Sequence, residues 1–339
     1  MNALYSLPLA LLLAGCSNAP APAPVKEIPQ VGHIIRLDPA FDTLVPKDAR
    51  IEKVATGFTF TEGPVWRPEG LLWFSDVPGN AVRSVTPAGD VKVIIQNAGG
   101  TVSAPPGAFI GPNGMISDKD GAVLLCQHGN RRIVRVAKDM MMTPYLEKFE
   151  GHRFNSPNDL VYRSDGALYF TDPPYGLLKQ DDDPSKELKF NGVFLYAGGK
   201  LKAIIKDLTR PNGIALSPDE KTLYVSNTEP KRFWMRYDVA ADGSVSNGRM
   251  FYDASATGGQ GGPDGMKIDS QGNIYAAGPE GLWVFSADGK HLGTIQPGET
   301  VANCAWGGDG KTLYITASTS VYRIRLAVPG EKPLYQVYQ

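Results

Sequence analysis

The sequence has few of the residues on which zinc-type metal centres depend. It carries four histidines and three cysteines in 339 residues, with no Cys/His cluster of zinc spacing, which excludes a zinc finger and a polyhistidine site. It has no surplus of either charge, with 34 Lys and Arg against 35 Asp and Glu and no basic stripe, which argues against a nucleic-acid partner. After residue 15 no apolar stretch of helical core length occurs. What is present instead is 38 Gly, 27 Pro and many short runs of Val, Ile, Tyr, Phe and Trp. Frequent turn residues between short β-prone runs read as an all-β chain, and all-β chains of this length form one domain.

The N-terminus follows a different pattern. Leu7 to Ala14 is an apolar run, and Leu13-Ala14-Gly15-Cys16 follows the pattern of a bacterial lipobox, in which Cys16 is acylated and becomes the first mature residue. No Lys or Arg precedes the run, which is too short to span a bilayer as a mature helix. The expectation is a signal peptide over 1–15, an Ala/Pro-rich tether and lead-in over 16–48, a propeller over 49–330 and a tail over 331–339. The product is then exported, periplasmic or at the cell surface, and touches membrane only through the lipid. Cys126 and Cys304 read as buried small apolar residues, with one disulfide as the alternative. No feature marks a subunit interface, and a monomer is expected.

The most informative feature is internal repetition. A turn followed by an aliphatic–aromatic pair occurs as PEGLLW (68–73), KDGAVL (119–124), SDGALY (164–169), PDEKTLY (218–224), SQGNIY (270–275) and GDGKTLY (308–314). The turn positions Gly70, Gly121, Gly166, Glu220, Gly272 and Gly310 lie 51, 45, 54, 52 and 38 residues apart. That period suits a propeller blade of four short strands and is too long for leucine-rich or ankyrin repeats. Six repeats predict a six-bladed β-propeller. The last repeat lacks a fourth strand, while Ile51 to Phe60 is strand-like and belongs to no earlier repeat. Ring closure by this N-terminal strand resolves both observations and leaves only short, protected edges.

A second motif precedes the inner strand of each repeat: EGPVW (62–66), PNGM (112–115), PNDL (157–160), PNGI (211–214), PDGM (263–266) and ANCAW (302–306). Inner strands begin near the propeller axis, so Glu62, Asn113, Asn158, Asn212, Asp264 and Asn303 converge on the channel mouth. Each alone reads as a turn residue, because Pro-Asn-Gly is a common turn. Variation among Asn, Asp and Glu is instead what a ligand set calls for. Two carboxylates and several amide oxygens are hard donors, which suits calcium over zinc or copper.

These motifs, with FTDPPYG (170–176), RPNGIALSPD (210–219), GGPDGMKID (261–269) and CQHGNRR (126–132), resemble the gluconolactonase, regucalcin (senescence marker protein) and luciferin-regenerating enzyme family, in its bacterial gluconolactonase-like branch. The resemblance runs from about Ala49 to Leu326. It implies one divalent cation, calcium first, with zinc, magnesium or manganese open, held by Glu62, Asn158, Asn212 and Asp264. Asp264 is also the implied general base or nucleophile. Family members of the regucalcin type carry an Arg two residues before the Asn matching Asn158; here Ser156 stands there, and Arg153 is nearby but unaligned.

The implied activity is metal-dependent hydrolysis of a small lactone or related ester. Asn113 and Tyr175 are candidate substrate contacts with Arg153, and His128 is a candidate proton shuttle. Two alternatives stand beside it: a non-catalytic surface propeller that binds a ligand or partner, and a hydrolase of phosphotriesters or other oxyesters. The stretch from Leu177 to Phe190, with Asp181, Asp182 and Asp183, reads as a solvated loop and, if it overhangs the channel, as a lid.

Overall fold

The six repeats fold into six antiparallel sheets arranged as a β-propeller in the computed structural model, which describes Met1 and residues 28–100 and 103–336. The first four blades have four strands each, and the order within a blade follows the chain from the axis outward. Blade two, for example, runs Pro112–Ser117, Val123–Gln127, Arg132–Val136 and Met142–Leu146. The inner strands touch neighbour to neighbour all the way round, so the ring is closed.

Closure follows the expected route. Ile51–Thr56 pairs antiparallel with Ser320–Arg325 and serves as the fourth strand of blade six, with Ile51 opposite Ile324. The strand stops at Thr56 rather than Phe60, because residues from Gly57 leave the sheet for the first inner strand.

The lead-in is structured from Gln30 onward. Gln30–Val31 adds a fifth strand to blade six, and His33–Arg36 adds one to blade five. The short helix Phe41–Leu44 then buries Phe41 and Leu44, with Val45, among core residues of those blades. Burying each such side chain is worth about 1.5–3 kcal/mol, which holds the segment down. The tail is also packed. Gln336 Nε2 donates to the Trp306 carbonyl at 3.2 Å, and Tyr335 meets Tyr162 edge-on. Cys16 lies outside the described residues.

Alternation along the strands sends side chains to both faces of each blade, so the apolar core divides into six wedges among the described residues, one between each pair of neighbouring blades. Cys126 and Cys304 are buried, unpaired members of two of these wedges.

Candidate active site

The Pro-Asn-Gly segments are not turns. Pro112–Ser117 and Pro211–Leu216 are strands that begin at the proline, and Asn113 and Asn212 lie within them. The glycine has a different purpose. A Cβ at Gly114 would collide with the Asn158 carbonyl of the next blade, and one at Gly213 with the Asp264 carbonyl. Removing the side chain lets inner strands approach closely enough for motif residues to crowd the axis. Hydroxyls on the second strands then fix the next blade's motif backbone. Ser75 Oγ donates to Asn113 O at 2.6 Å, Thr171 Oγ1 to Asn212 O at 2.6 Å, and Ser226 Oγ to Asp264 O at 3.0 Å.

The motif side chains are brought together; Glu62, Asn113, Asn158, Asn212 and Asn303 are buried, and Asp264 is half-buried. Asn113 Nδ2 donates to Asn158 Oδ1 at 2.9 Å, and Asn158 Nδ2 to Asn212 Oδ1 at 2.6 Å. Glu62 Oε2 accepts from its neighbour's backbone, Gly63 N, and from Asn303 Nδ2 at 3.0 Å. Asp264 Oδ1 accepts from Gly265 N at 2.9 Å. Burial, with the Asp159 charge adding, pushes the Glu62 carboxyl up to about 7. Burial also raises Asp264 well above the usual carboxylate range, and the adjacent Glu62 charge adds to it.

Sequence reasoning missed two members of this cluster and undervalued a third. Asp159 stands where blades one, two, four and five have glycine, and that departure in PNDL was the available signal. Its carboxylate reaches across to Asn303 Nδ2 at 3.4 Å and to Lys267 Nζ at 3.8 Å. Lys267 also donates to Asn303 Oδ1 at 3.3 Å and to its neighbour's carbonyl, Met266 O, at 3.0 Å. Lys267 looks like an ordinary strand lysine in sequence. Asn303 holds Glu62, Asp159 and Lys267 in one network.

His128 is fully buried beside Asn113. Its Nε2 lies 3.2 Å from Asn113 Nδ2 and its Nδ1 2.9 Å from the Phe109 carbonyl. Burial brings its pKa down to about 4, so the ring is neutral, with both nitrogens engaged. Tyr175 has a buried hydroxyl with no hydrogen-bond partner among the described residues; the Thr228 hydroxyl and Asp264 carboxylate are its polar neighbours. Arg153 lies elsewhere: it is exposed on a small hairpin, with its backbone N donating to Glu187 at 2.7 Å, and it shares no hydrogen bond or ion pair with the cluster. Ser156 is buried and ties the Tyr175 loop down, donating to Pro173 O at 2.6 Å and accepting from Gly176 N at 2.9 Å. The 177–190 stretch is largely exposed, as a solvated surface loop is, and is anchored at several points. Asp181 pairs with Arg210 and accepts from Asn191, while Arg131 donates to Ser185 O at 2.7 Å.

A recess of about 420 Å³ borders Asp264, lined by Thr228, Glu229, Arg232, Gly262 and Thr300 among others. A separate, mostly apolar cavity of about 340 Å³ occupies the far part of the channel, bounded by Lys267, Trp306 and the tail residues Leu334 and Gln336. None of the four expected ligands lines that second cavity, and one of them, Asp264, lines the recess.

Among the described residues, no three His, Cys, Asp or Glu side chains are gathered in a metal-holding group. The set here is mixed, two carboxylates and two amides, and it fits a hard divalent cation on two grounds. Glu62, Asp159 and Asp264 crowd together with Lys267, and the raised Glu62 and Asp264 carboxyls mark a place where buried negative charge is under-compensated, which a dication would offset. Asn113 Oδ1 is also buried with no partner among the described residues, which adds an unspent oxygen beside the set.

Fold and site together define a six-bladed propeller with an acidic, amide-rich pocket at one end of its channel. The profile of the SMP-30/Gluconolactonase/LRE-like region matches residues 60–319. A gluconolactonase of Zymomonas mobilis is 40% identical over 310 residues, covering 87% of this chain and 86% of that protein. A solved Xanthomonas campestris gluconolactonase has a TM-score of 0.76 at 31% identity, covering 89% of this chain and 99% of that one. The Agrobacterium tumefaciens regucalcin, described as calcium-binding, shares the fold with a TM-score of 0.65 at 20% identity, covering 83% and 95%. The chain belongs to the SMP-30/gluconolactonase/LRE-like family.

Proposed function

We propose that this protein is a divalent-cation-dependent lactonase that opens a small lactone of the gluconolactone type to its hydroxy acid. The observation that carries the reading is the Asp264 carboxyl at the edge of a recess, next to the hydrogen-bonded network of channel asparagines and Glu62. The relatives named as gluconolactonases support the substrate class.

Glu62, Asn158, Asn212 and Asp264 would hold the cation. When bound, it supplies Lewis acidity at the lactone carbonyl and offsets charge gathering on that oxygen. Asp264, as the carboxylate, accepts a proton from the attacking water. The water oxygen bonds to the carbonyl carbon, the ring C–O bond breaks, and the proton held on Asp264 passes to the departing ring oxygen. Glu62, held by Gly63 N and Asn303, would face the cation as its carboxylate, the positive charge offsetting the burial that raises it. The recess walls of Thr228, Glu229, Arg232 and Thr300 offer hydroxyl, carboxylate and guanidinium groups to a polyhydroxylated substrate. Tyr175 stands near Thr228 and Asp264.

The test is proton release from δ-gluconolactone in a pH-stat. Asp264→Asn should lower kcat by about 10²–10⁴-fold, the usual yield of general acid–base catalysis, with the fold retained. Turnover at the wild-type rate would refute the assignment.

A further inference from the structure

Seven groups from four blades and one connecting loop form an unbroken hydrogen-bonded chain at the channel mouth. It starts at the Phe109 carbonyl, which accepts from His128 Nδ1 at 2.9 Å. A carbonyl can only accept, so Nδ1 carries the ring proton and Nε2 is left as an acceptor. Asn113 Nδ2 donates to that nitrogen at 3.2 Å and to Asn158 Oδ1 at 2.9 Å. Asn158 Nδ2 donates to Asn212 Oδ1 at 2.6 Å, and Asn212 Nδ2 to Thr228 Oγ1 at 3.0 Å. The Thr228 hydroxyl proton goes to the Pro263 carbonyl at 2.6 Å.

The polarity of this chain is forced from both ends. Pro263 O can only accept, so Thr228 must donate there and accept from Asn212. Phe109 O can only accept, so His128 must accept from Asn113. Turning over any one of the three amides would set N–H against N–H or oxygen against a lone pair. Both protons of the Asn113 amino group are spent, and its Oδ1 is buried without a partner among the described residues. Asn158 and Asn212 each keep a second lone pair on their oxygens.

We infer that His128 and Thr228 are positioning residues whose fixed hydrogen-bonding states make the channel asparagines present carbonyl oxygens, rather than amino groups, to the cation. Neither residue needs to touch the cation to do this. The inference assigns His128 an orienting task in place of proton transfer, and it rests on the cation-dependent reading above. Leaving an amide free to turn costs affinity because half of its orientations point N–H groups at a positive charge.

Calorimetric titration of calcium into the chelator-stripped full chain tests it. Thr228→Val, which keeps shape and loses the hydroxyl, leaves Asn212 Nδ2 without that partner and the amide held only through Asn158, and should weaken calcium binding by about 10-fold, the lower end of what removing a group that orients a metal ligand costs. Thr228→Ser should restore affinity to within about threefold of wild type on the same reasoning. His128→Leu should match Thr228→Val although it lies at the opposite end of the chain. His128 is fully buried and its variant can fail to fold, so Thr228→Val, at the recess wall, decides the question. A folded Thr228→Val protein that binds calcium as tightly as wild type overturns the inference. A wild-type protein that binds none of calcium, magnesium, manganese or zinc refutes the cation reading itself, and the inference falls with it.

Discussion

Asn303 Nδ2 lies 3.0 Å from Glu62 Oε2, so a side chain of the last blade holds a carboxylate of the first across the closure of the ring. The same amino group reaches Asp159 Oδ2 at 3.4 Å from the third blade. Asn303→Leu removes a donor shared by two buried carboxylates. It should destabilise the protein by roughly 2–3 kcal/mol, the cost of leaving buried acceptors short of a partner. Urea unfolding of the chelator-treated protein measures this, and a loss under about 0.5 kcal/mol, the range of neutral surface changes, would contradict the role.

Gly213 tests the close-approach argument. Its added Cβ would meet the Asp264 carbonyl, which is fixed by Ser226 and cannot swing aside cheaply. Gly213→Ala should cost roughly 1–3 kcal/mol, as overpacking does. Thermal melts report the stability, and lactone turnover reports the displaced carboxylate. An unchanged melt with unchanged turnover would mean that the ring tolerates expansion.

These two cases also mark what the sequence carries. Motif periodicity placed Glu62, Asn113, Asn158, Asn212, Asp264 and Asn303 at equivalent positions, because each blade repeats the same entry into its inner strand. The purpose of the glycine was hidden, since Pro-Asn-Gly has the same appearance in a turn and in a crowded strand. Asp159 and Lys267 meet only because the ring brings blades three and five to opposite sides of one axis. No local pattern encodes that meeting. His33–Arg36 and Gln30–Val31 are too short to stand out as strands, and they pair only because two outer edges are free. His128 reaches the site through a carbonyl of the 97–111 connection, a tertiary contact that spacing does not foretell.

Glu299 predicts an acid-sensitive closure. Its carboxylate accepts from Thr319 N and Oγ1 at 2.8 and 2.9 Å, and from Ser320 Oγ and Tyr322 Oη at 2.6 Å each. Lys53 on the closing strand is 3.2 Å away. Burial opposes the charge, but these donors outweigh it and hold the group down at about 2, from an ordinary value of 4.5. A depressed folded value means the stabilisation is fully present above pH 4.5 and is lost as pH falls toward 2. Glu299→Gln should therefore cost about 2 kcal/mol near neutrality by this linkage, and the gap to wild type should close on acidification. Denaturant melts at several pH values measure it, and a gap independent of pH would contradict the assignment.

The N-terminal expectation is tested by fractionation. If Leu13-Ala14-Gly15-Cys16 is a lipobox, the wild-type product partitions with membranes and Cys16→Ser moves it to the soluble fraction. A soluble wild-type product would count against an anchor while leaving the propeller and its site untouched.

The most direct test of the central claim is lactone hydrolysis by the chelator-stripped protein, restored with one divalent metal at a time. The account predicts that stripping abolishes turnover and that calcium or a similar hard cation restores it in wild type. Restoration should fail in Asp264→Asn, and Arg153→Ala should behave as wild type because that residue stands apart from the cluster. Full turnover by the stripped protein, or metal-restored turnover in Asp264→Asn, would contradict it.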